Sequence, residues 1–193
     1  MAQTAAQESM RLEADAPAEL QLGERTPGFE NLLGTDGHRY GLSDFANRRL
    51  VVVIFTSNRC PTVRAYEDRL LDFQDAYGPR GVQVVAINSN DQHRYPEESY
   101  EQMVAFAQDS GYTFPYLQDA GQVMAWAWGP TRTFEVFVLD QYRRLRYHGR
   151  FDDAQRSDRV TTHDLENAVE ALLNRREVLT PITQPFGCSL DLV

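Results

Sequence analysis

Residues 50–61 read Leu-Val-Val-Val-Ile-Phe-Thr-Ser-Asn-Arg-Cys-Pro, and Thr-Val-Arg-Ala-Tyr-Glu-Asp-Arg-Leu-Leu follows at 62–71. Val51 to Phe55 is an unbroken apolar run, β-branched but for its last member. It predicts a strand buried on both faces, as in a parallel sheet. A polar turn, Thr56 to Arg59, leads to Cys60. Val63, Tyr66, Leu70, Phe73 and Tyr77 then recur at helical spacing until Gly78-Pro79 stops the pattern. Pro61 suits the first helical position, where the amide proton that it lacks would have had no partner. Cys60 is therefore placed where a central strand ends and a helix begins. Free backbone N–H groups and the positive end of the helix dipole favour a thiolate there. Arg59 and Arg64 flank the thiol and add positive charge, either to lower its pKa or to hold an anionic or peroxide substrate. The plainer role for such a cysteine is a small buried hydrophobe.

Working outward, Gly34, Asp36 and Gly37 mark a tight turn between two short strands. Ser43-Asp44-Phe45 reads as one helical turn. Val82 to Ile87 predicts a second buried strand, parallel to the first because a helix separates them. Asn88 to Asp91 follows at its carboxyl end, either as a turn or as part of a site at that edge. Ser99 and Gln102 form a capping box for a helix with Met103, Phe106 and Ala107, ending near Gly111. Phe114 to Leu117 is expected to be a short strand and Gln122 to Trp128 a short helix. Trp126 and Trp128 cannot share a face of it, so one is assigned to the core and the other to a groove. Phe134 to Leu139 and Leu145 to His148 predict an antiparallel hairpin. Thr161 or Thr162 is expected to cap a last helix with Leu165, Ala168, Val169, Leu172 and Leu173.

The segment around Cys60 resembles the active-site strand, turn and helix of the thioredoxin superfamily. More narrowly, it is similar to the peroxiredoxin-related redoxins of the alkyl hydroperoxide reductase and thiol-specific antioxidant (AhpC/TSA) group. Residues 22–45 resemble that family's opening hairpin, 84–103 its second strand-to-helix crossing and 114–129 the lead to its later strands. Residues 136–153 resemble its closing hairpin, and 183–190 a tail of one thioredoxin-like subgroup. The likeness runs from about Gly23 to Leu190. It implies an α/β, thioredoxin-like fold with a central mixed sheet flanked by helices and an N-terminal hairpin extension. The expected organisation is a mobile leader over 1–18, a redoxin domain over 19–175 and an extended tail over 176–193 that carries Cys188.

The resemblance also implies a chemistry. Ser57-Asn58-Arg59-Cys60 keeps only the second cysteine of the thioredoxin pair, so exchange within that motif is excluded. Peroxiredoxins place a hydroxyl residue three positions before a lone peroxidatic cysteine, and Ser57 fits it. Val53 stands where the family has proline, while Cys60-Pro61-Thr62 fits. At Arg132-Thr133-Phe134, thioredoxins have Thr and cis-proline and typical peroxiredoxins an arginine. Here Phe134 takes that place, with Arg132 two residues before. The resemblance thus makes Cys60 the nucleophile assisted by Ser57, with Arg59, Pro61, Arg64, Arg132 and Thr133 as the substrate-binding set. In peroxidase chemistry a second thiol condenses with the sulfenic acid, and Cys188 is the candidate. Its own chain or a partner subunit of a homodimer would supply that thiol, and its plainer role is to pack the tail. Peroxide or disulfide is the implied substrate, and a thiol such as thioredoxin or glutathione the reductant. The alternative is a binding or scaffold protein of the same fold, which the missing first cysteine, Val53 and Phe134 favour.

Composition narrows the partners. With 193 residues one well-filled domain is expected. A net charge of −9 argues against nucleic acid and anionic membrane. All 19 Lys+Arg residues are arginine, which excludes lysine chemistry. The first 20 residues lack the apolar centre of a secretory signal, so a cytoplasmic protein is expected. His38, His93, His148 and His163 show no ligand spacing, so no metal or other cofactor is expected. Glu97-Glu98 and Asp152-Asp153 read as solvated turn charge.

Overall fold

Strand β3 (Leu50–Thr56) lies near the middle of the sheet, and all seven of its residues are buried. Its side chains alternate between faces. Leu50, Val52 and Ile54 enter one hydrophobic core, while Val51, Val53 and Phe55 enter a second on the opposite side. Neither face meets water, which is why the run has no polar position. The computed structural model describes Pro17, residues 19–190, Leu192 and Val193. The expected leader over 1–18 lies outside the described residues except for Pro17.

Helix α1 (Pro61–Tyr77) carries the chain across to β4 (Val82–Asn88), which pairs parallel to β3 with Leu50 opposite Val82 and Thr56 opposite Asn88. The two strands therefore end level, and the segments after Thr56 and Asn88 leave from one edge. After α2 (Tyr100–Asp109), β5 (Tyr116–Gln118) pairs parallel to β4. It starts two residues later than the apolar run suggested. The hairpin β6 (Glu135–Leu139) and β7 (Leu145–Gly149) is antiparallel, with β6 on the other flank of β3 and a bulge at Val138/Leu139. The first hairpin, β1 (Leu32–Gly34) and β2 (Arg39–Tyr40), extends the sheet beyond β5. The order of this seven-stranded sheet is β2-β1-β5-β4-β3-β6-β7.

Helices α1, α2 and α4 (Asp164–Leu173) bury their apolar stripes in the core that receives Ile54. The short α3 (Val123–Trp128) and the single helical turn Leu42–Phe45 cover the other face. Ser99 caps α2 by accepting from the Gln102 amide, but the expected box is only half formed, since the Ser99 amide donates to the Pro96 carbonyl; Gly111 follows the helix end at φ +67°. The start of α4 differs from expectation. His163 holds the cap position without a side-chain bond, because the hydroxyl of Thr161 is turned back to Asp153. Among the described residues no helix is long and apolar enough to cross a membrane.

Candidate active site

Cys60 is the residue before α1, in extended conformation at φ −79° and ψ 120°, with Pro61 at the first helical position. The strand–turn–helix reading is thus met in place. Its sulfur is not free: Cys60 and Cys188 form a disulfide, with Cα atoms 6.0 Å apart across a separation of 128 residues. Cys60 is 1% exposed, in the core that also contains Val63, Tyr66 and Phe134.

The tail that supplies Cys188 is extended and pinned along its length. Beside β7, the His148 amide donates to the Pro181 carbonyl at 3.0 Å, and the Thr183 amide donates to the His148 carbonyl at 3.1 Å. The Thr183 hydroxyl accepts from the Arg150 amide at 3.0 Å and lies 2.7 Å from the Tyr147 hydroxyl. Gly187 then passes so close to the 132–134 loop that a Cβ there would stand 2.0 Å from the Thr133 carbonyl oxygen. The Thr133 amide donates to the Cys188 carbonyl at 2.8 Å, and Arg132 bridges Ser189 through both backbone and guanidinium. Phe186 packs on one core and Leu190 and Leu192 on the other. Thr133 and Arg132, expected around a substrate, are in this state partnered by the tail. Phe134 sits at φ +76°, fully buried and stacked on Tyr66 at 4.7 Å.

Ser57 is buried one turn before Cys60, but its hydroxyl donates to Glu98. One expectation is corrected here: Glu98, expected in solvent, is 1% exposed. The Ser57 hydroxyl, expected for a thiolate or peroxide, is held by the Glu98 carboxylate in the disulfide state. Glu98 Oε2 accepts from the Asn58 amide at 2.8 Å and from Asn88 Nδ2 at 2.8 Å. Three donors from two segments offset the desolvation that a buried carboxylate would otherwise cost. Asn58 is held in turn by the Glu97 carbonyl at 2.7 Å and by the Tyr116 hydroxyl at 2.8 Å. Burial pushes the Tyr116 phenol well above its usual range. Asn88 thus supports the cleft through Glu98, and it also accepts from the Asn90 amide as a turn residue would. Asn90 lines the cleft and donates to the Thr56 carbonyl at 3.1 Å. Glu97 is exposed, as expected.

The arginines divide. Arg59 lines a cleft of about 140 Å³ with Ser57, Cys60, Pro61, Glu98 and Cys188, its guanidinium 3.6 Å over the ring of Tyr95. Arg64 turns away, 4.0 Å over the ring of Phe106 and 3.2 Å from Glu67. It is one turn along an exposed helix face, where the nearest carboxylate and ring claim it. Asp152 corrects the other solvated pair: it is buried, accepts from the Tyr66 hydroxyl at 2.7 Å and pairs with Arg69. It secures α1 behind the cysteine. Trp128 is core and donates to the Pro27 carbonyl at 3.1 Å, while Trp126 is half-buried and absent from the cleft. Among the described residues no group of three or more His, Cys, Asp and Glu is placed to hold a metal ion.

A central strand delivering a cysteine to a helix start, with its sulfur joined to a second cysteine of the chain, defines a thioredoxin-fold protein of thiol–disulfide chemistry. The chain belongs to the Redoxin family, whose model matches residues 21–169. A Mycobacterium tuberculosis protein named as a peroxiredoxin is 32% identical over 111 residues, 55% of this chain and 62% of that protein. The chain thus matches less than two thirds of the length of its curated relatives. A hypothetical protein of Sinorhizobium meliloti has a crystal structure with a TM-score of 0.84 and 39% identity, over 92% of this chain and 97% of that one. Peroxidoxin BcpB from Mycobacterium tuberculosis shares the fold at a TM-score of 0.64 and 19% identity, over 82% of this chain and all of that one. By family and by fold, then, the chain is a Redoxin-family protein built on the thioredoxin fold.

Proposed function

We propose that the chain is a thiol-dependent peroxidase in which Cys60 is the nucleophile and Cys188 the resolving thiol of the same chain. The observation that carries this reading is the disulfide between two cysteines separated by 128 residues. In the proposed cycle the Cys60 thiolate attacks a peroxide, the O–O bond breaks and an S–O bond forms. An alcohol or water leaves, and Cys60 becomes a sulfenic acid. The Cys188 thiol then attacks that sulfur, an S–S bond forms and water departs. Two electrons from an external thiol, of the thioredoxin or glutathione type, return both cysteines to thiols. Arg59 is the cation of the cleft, and Pro61 leaves the helix start open to the sulfur. Once the tail lifts, Thr133 and Arg132 become available to substrate. An antioxidant role and a cytoplasmic setting are proposed with it; in that compartment a disulfide is usually transient and catalytic, as this cycle requires.

The test is intact-mass spectrometry of the reduced chain after stoichiometric hydrogen peroxide, with and without a sulfenic-acid trap. Loss of two mass units in the parent, replaced by a trapped adduct at Cys60 in Cys188→Ser, is the expected result. No change in either would end the peroxidase reading and favour a binding or scaffold role. A trapped adduct in both would remove Cys188 from the cycle.

A further inference from the structure

We propose that Glu98 is a positioning residue: it holds the hydroxyl proton of Ser57, withholds it from Cys60, and so limits how much of that cysteine is thiolate. The proposal rests on Cys60 as the reactive thiol, as argued above. All three groups around the Glu98 carboxyl are donors, namely the Ser57 hydroxyl, the Asn58 amide and Asn88 Nδ2. A carboxylate satisfies three donors without offering one itself. The Ser57 hydroxyl has one proton and two lone pairs. Its proton lies on Glu98, and one lone pair accepts from the Arg59 amide at 3.2 Å. It has nothing left to donate to the sulfur of Cys60, although Ser57, Cys60 and Glu98 line one cleft.

The geometry also says what an amide would do in place of the carboxylate. The Asn58 amide and Asn88 Nδ2 donate to the same oxygen, Oε2. In Glu98→Gln the carbonyl must keep that position, so the new NH2 faces Ser57. The hydroxyl oxygen then accepts from that NH2 and from the Arg59 amide, and its proton is released toward the cleft that Ser57 and Cys60 both line. The other charged and titratable groups around Cys60 keep their partners. Arg59 lies over Tyr95, Arg64 is paired with Glu67, Arg132 reaches Ser189, and Tyr66 donates to Asp152. Tyr116, facing the same network through Asn58 and Asn88, remains a neutral phenol throughout.

The experiment follows the rate of iodoacetamide alkylation of Cys60 against pH in the full chain carrying Cys188→Ser. Adding Glu98→Gln is expected to move the midpoint down by about one unit, a roughly tenfold gain in thiolate below it. Adding Ser57→Ala to that protein is expected to return at least half of the shift, because the freed hydroxyl is the donor. An equal shift with and without Ser57, or no shift at all, overturns the proposal. Should Glu98→Gln fail to fold by circular dichroism, Ser57→Ala alone decides. A midpoint unchanged within about 0.3 unit supports the withheld proton, and a rise of about one unit overturns it. Alkylation needs no peroxide. A Cys60 that alkylates but yields no sulfenic acid would therefore end the peroxidase reading while leaving this one standing.

Discussion

The backbone amide of Thr133 donates to the carbonyl of Cys188 at 2.8 Å, so the segment that carries Cys188 is seated on the 132–134 loop. The seat is narrow at Gly187, which lies at φ +148° against the Thr133 carbonyl. A Cβ at 2.0 Å from that oxygen cannot be accommodated without moving backbone. Gly187→Ala is therefore expected to slow disulfide closure after peroxide by at least about tenfold, the equivalent of some 1.4 kcal/mol. The accumulating sulfenic acid would be counted by trapping and mass spectrometry. Closure at the parental rate would show that the tail reaches Cys60 by another path.

Anchorage by Thr183 should be separable from the disulfide. Thr183→Val keeps the shape but leaves the Arg150 amide without its acceptor and the Tyr147 hydroxyl without one of its partners. Such a loss costs about 1–3 kcal/mol when the group stays buried. Amide hydrogen exchange of reduced protein is expected to accelerate over 181–190 and to stay unchanged in β3 and β4.

Reduction should cost stability as well as chemistry. A cross-link across 128 residues removes much of the freedom of the unfolded chain. Unfolding free energies from urea titrations with and without reductant are expected to differ by about 2–4 kcal/mol, the usual range for a native disulfide. Equal midpoints would mean that the tail leaves the domain without being missed.

The chain offers an unusually clear view of alkaline unfolding, because it has nine tyrosines and no lysine to titrate beside them. Burial raises the phenols of Tyr66, Tyr112 and Tyr147 far above their ordinary value, and that of Tyr77 up to about 12. The sign follows from where the proton is held. The folded state keeps these protons after the unfolded state has released them, so their contribution is full below pH about 10 and declines above it. Urea midpoints of oxidised protein are expected to be level from about pH 8 to 9.5 and to fall beyond. The fall should be shallower in Tyr66→Phe. A level profile to pH 11 would contradict the burial of these phenols.

Much of the fold was legible because its signals are local. The Val51–Phe55 run, the helical spacing from Val63 to Tyr77 and the position of Pro61 each lie within a few residues, and together they place Cys60 correctly. Ser99 with Gly111 marked α2 in the same way. Glu98 was not legible, because its burial depends on donors at Ser57, Asn58 and Asn88 that only the parallel pairing of β3 and β4 assembles. Asp152 depends likewise on Tyr66 and Arg69, more than 80 residues away. A pair of adjacent acids in a turn reads as solvent whenever its donors are distant. The seat of Cys188 was hidden for the same reason, and Thr161 was misread because Asp153 competes for its hydroxyl.

The bond from Cys60 to Cys188 also closes a covalent ring, with one chain segment entering it and one leaving it. Residues 61–187 lie inside it, and with them α1 and strands β4 to β7, whereas β1, β2 and β3 precede it. A protease that cuts once within the ring adds one water and releases nothing. The same cut in reduced chain yields two pieces. A gel run with and without reductant after a brief digestion therefore reads the oxidation state of Cys60 directly, with no label on either sulfur.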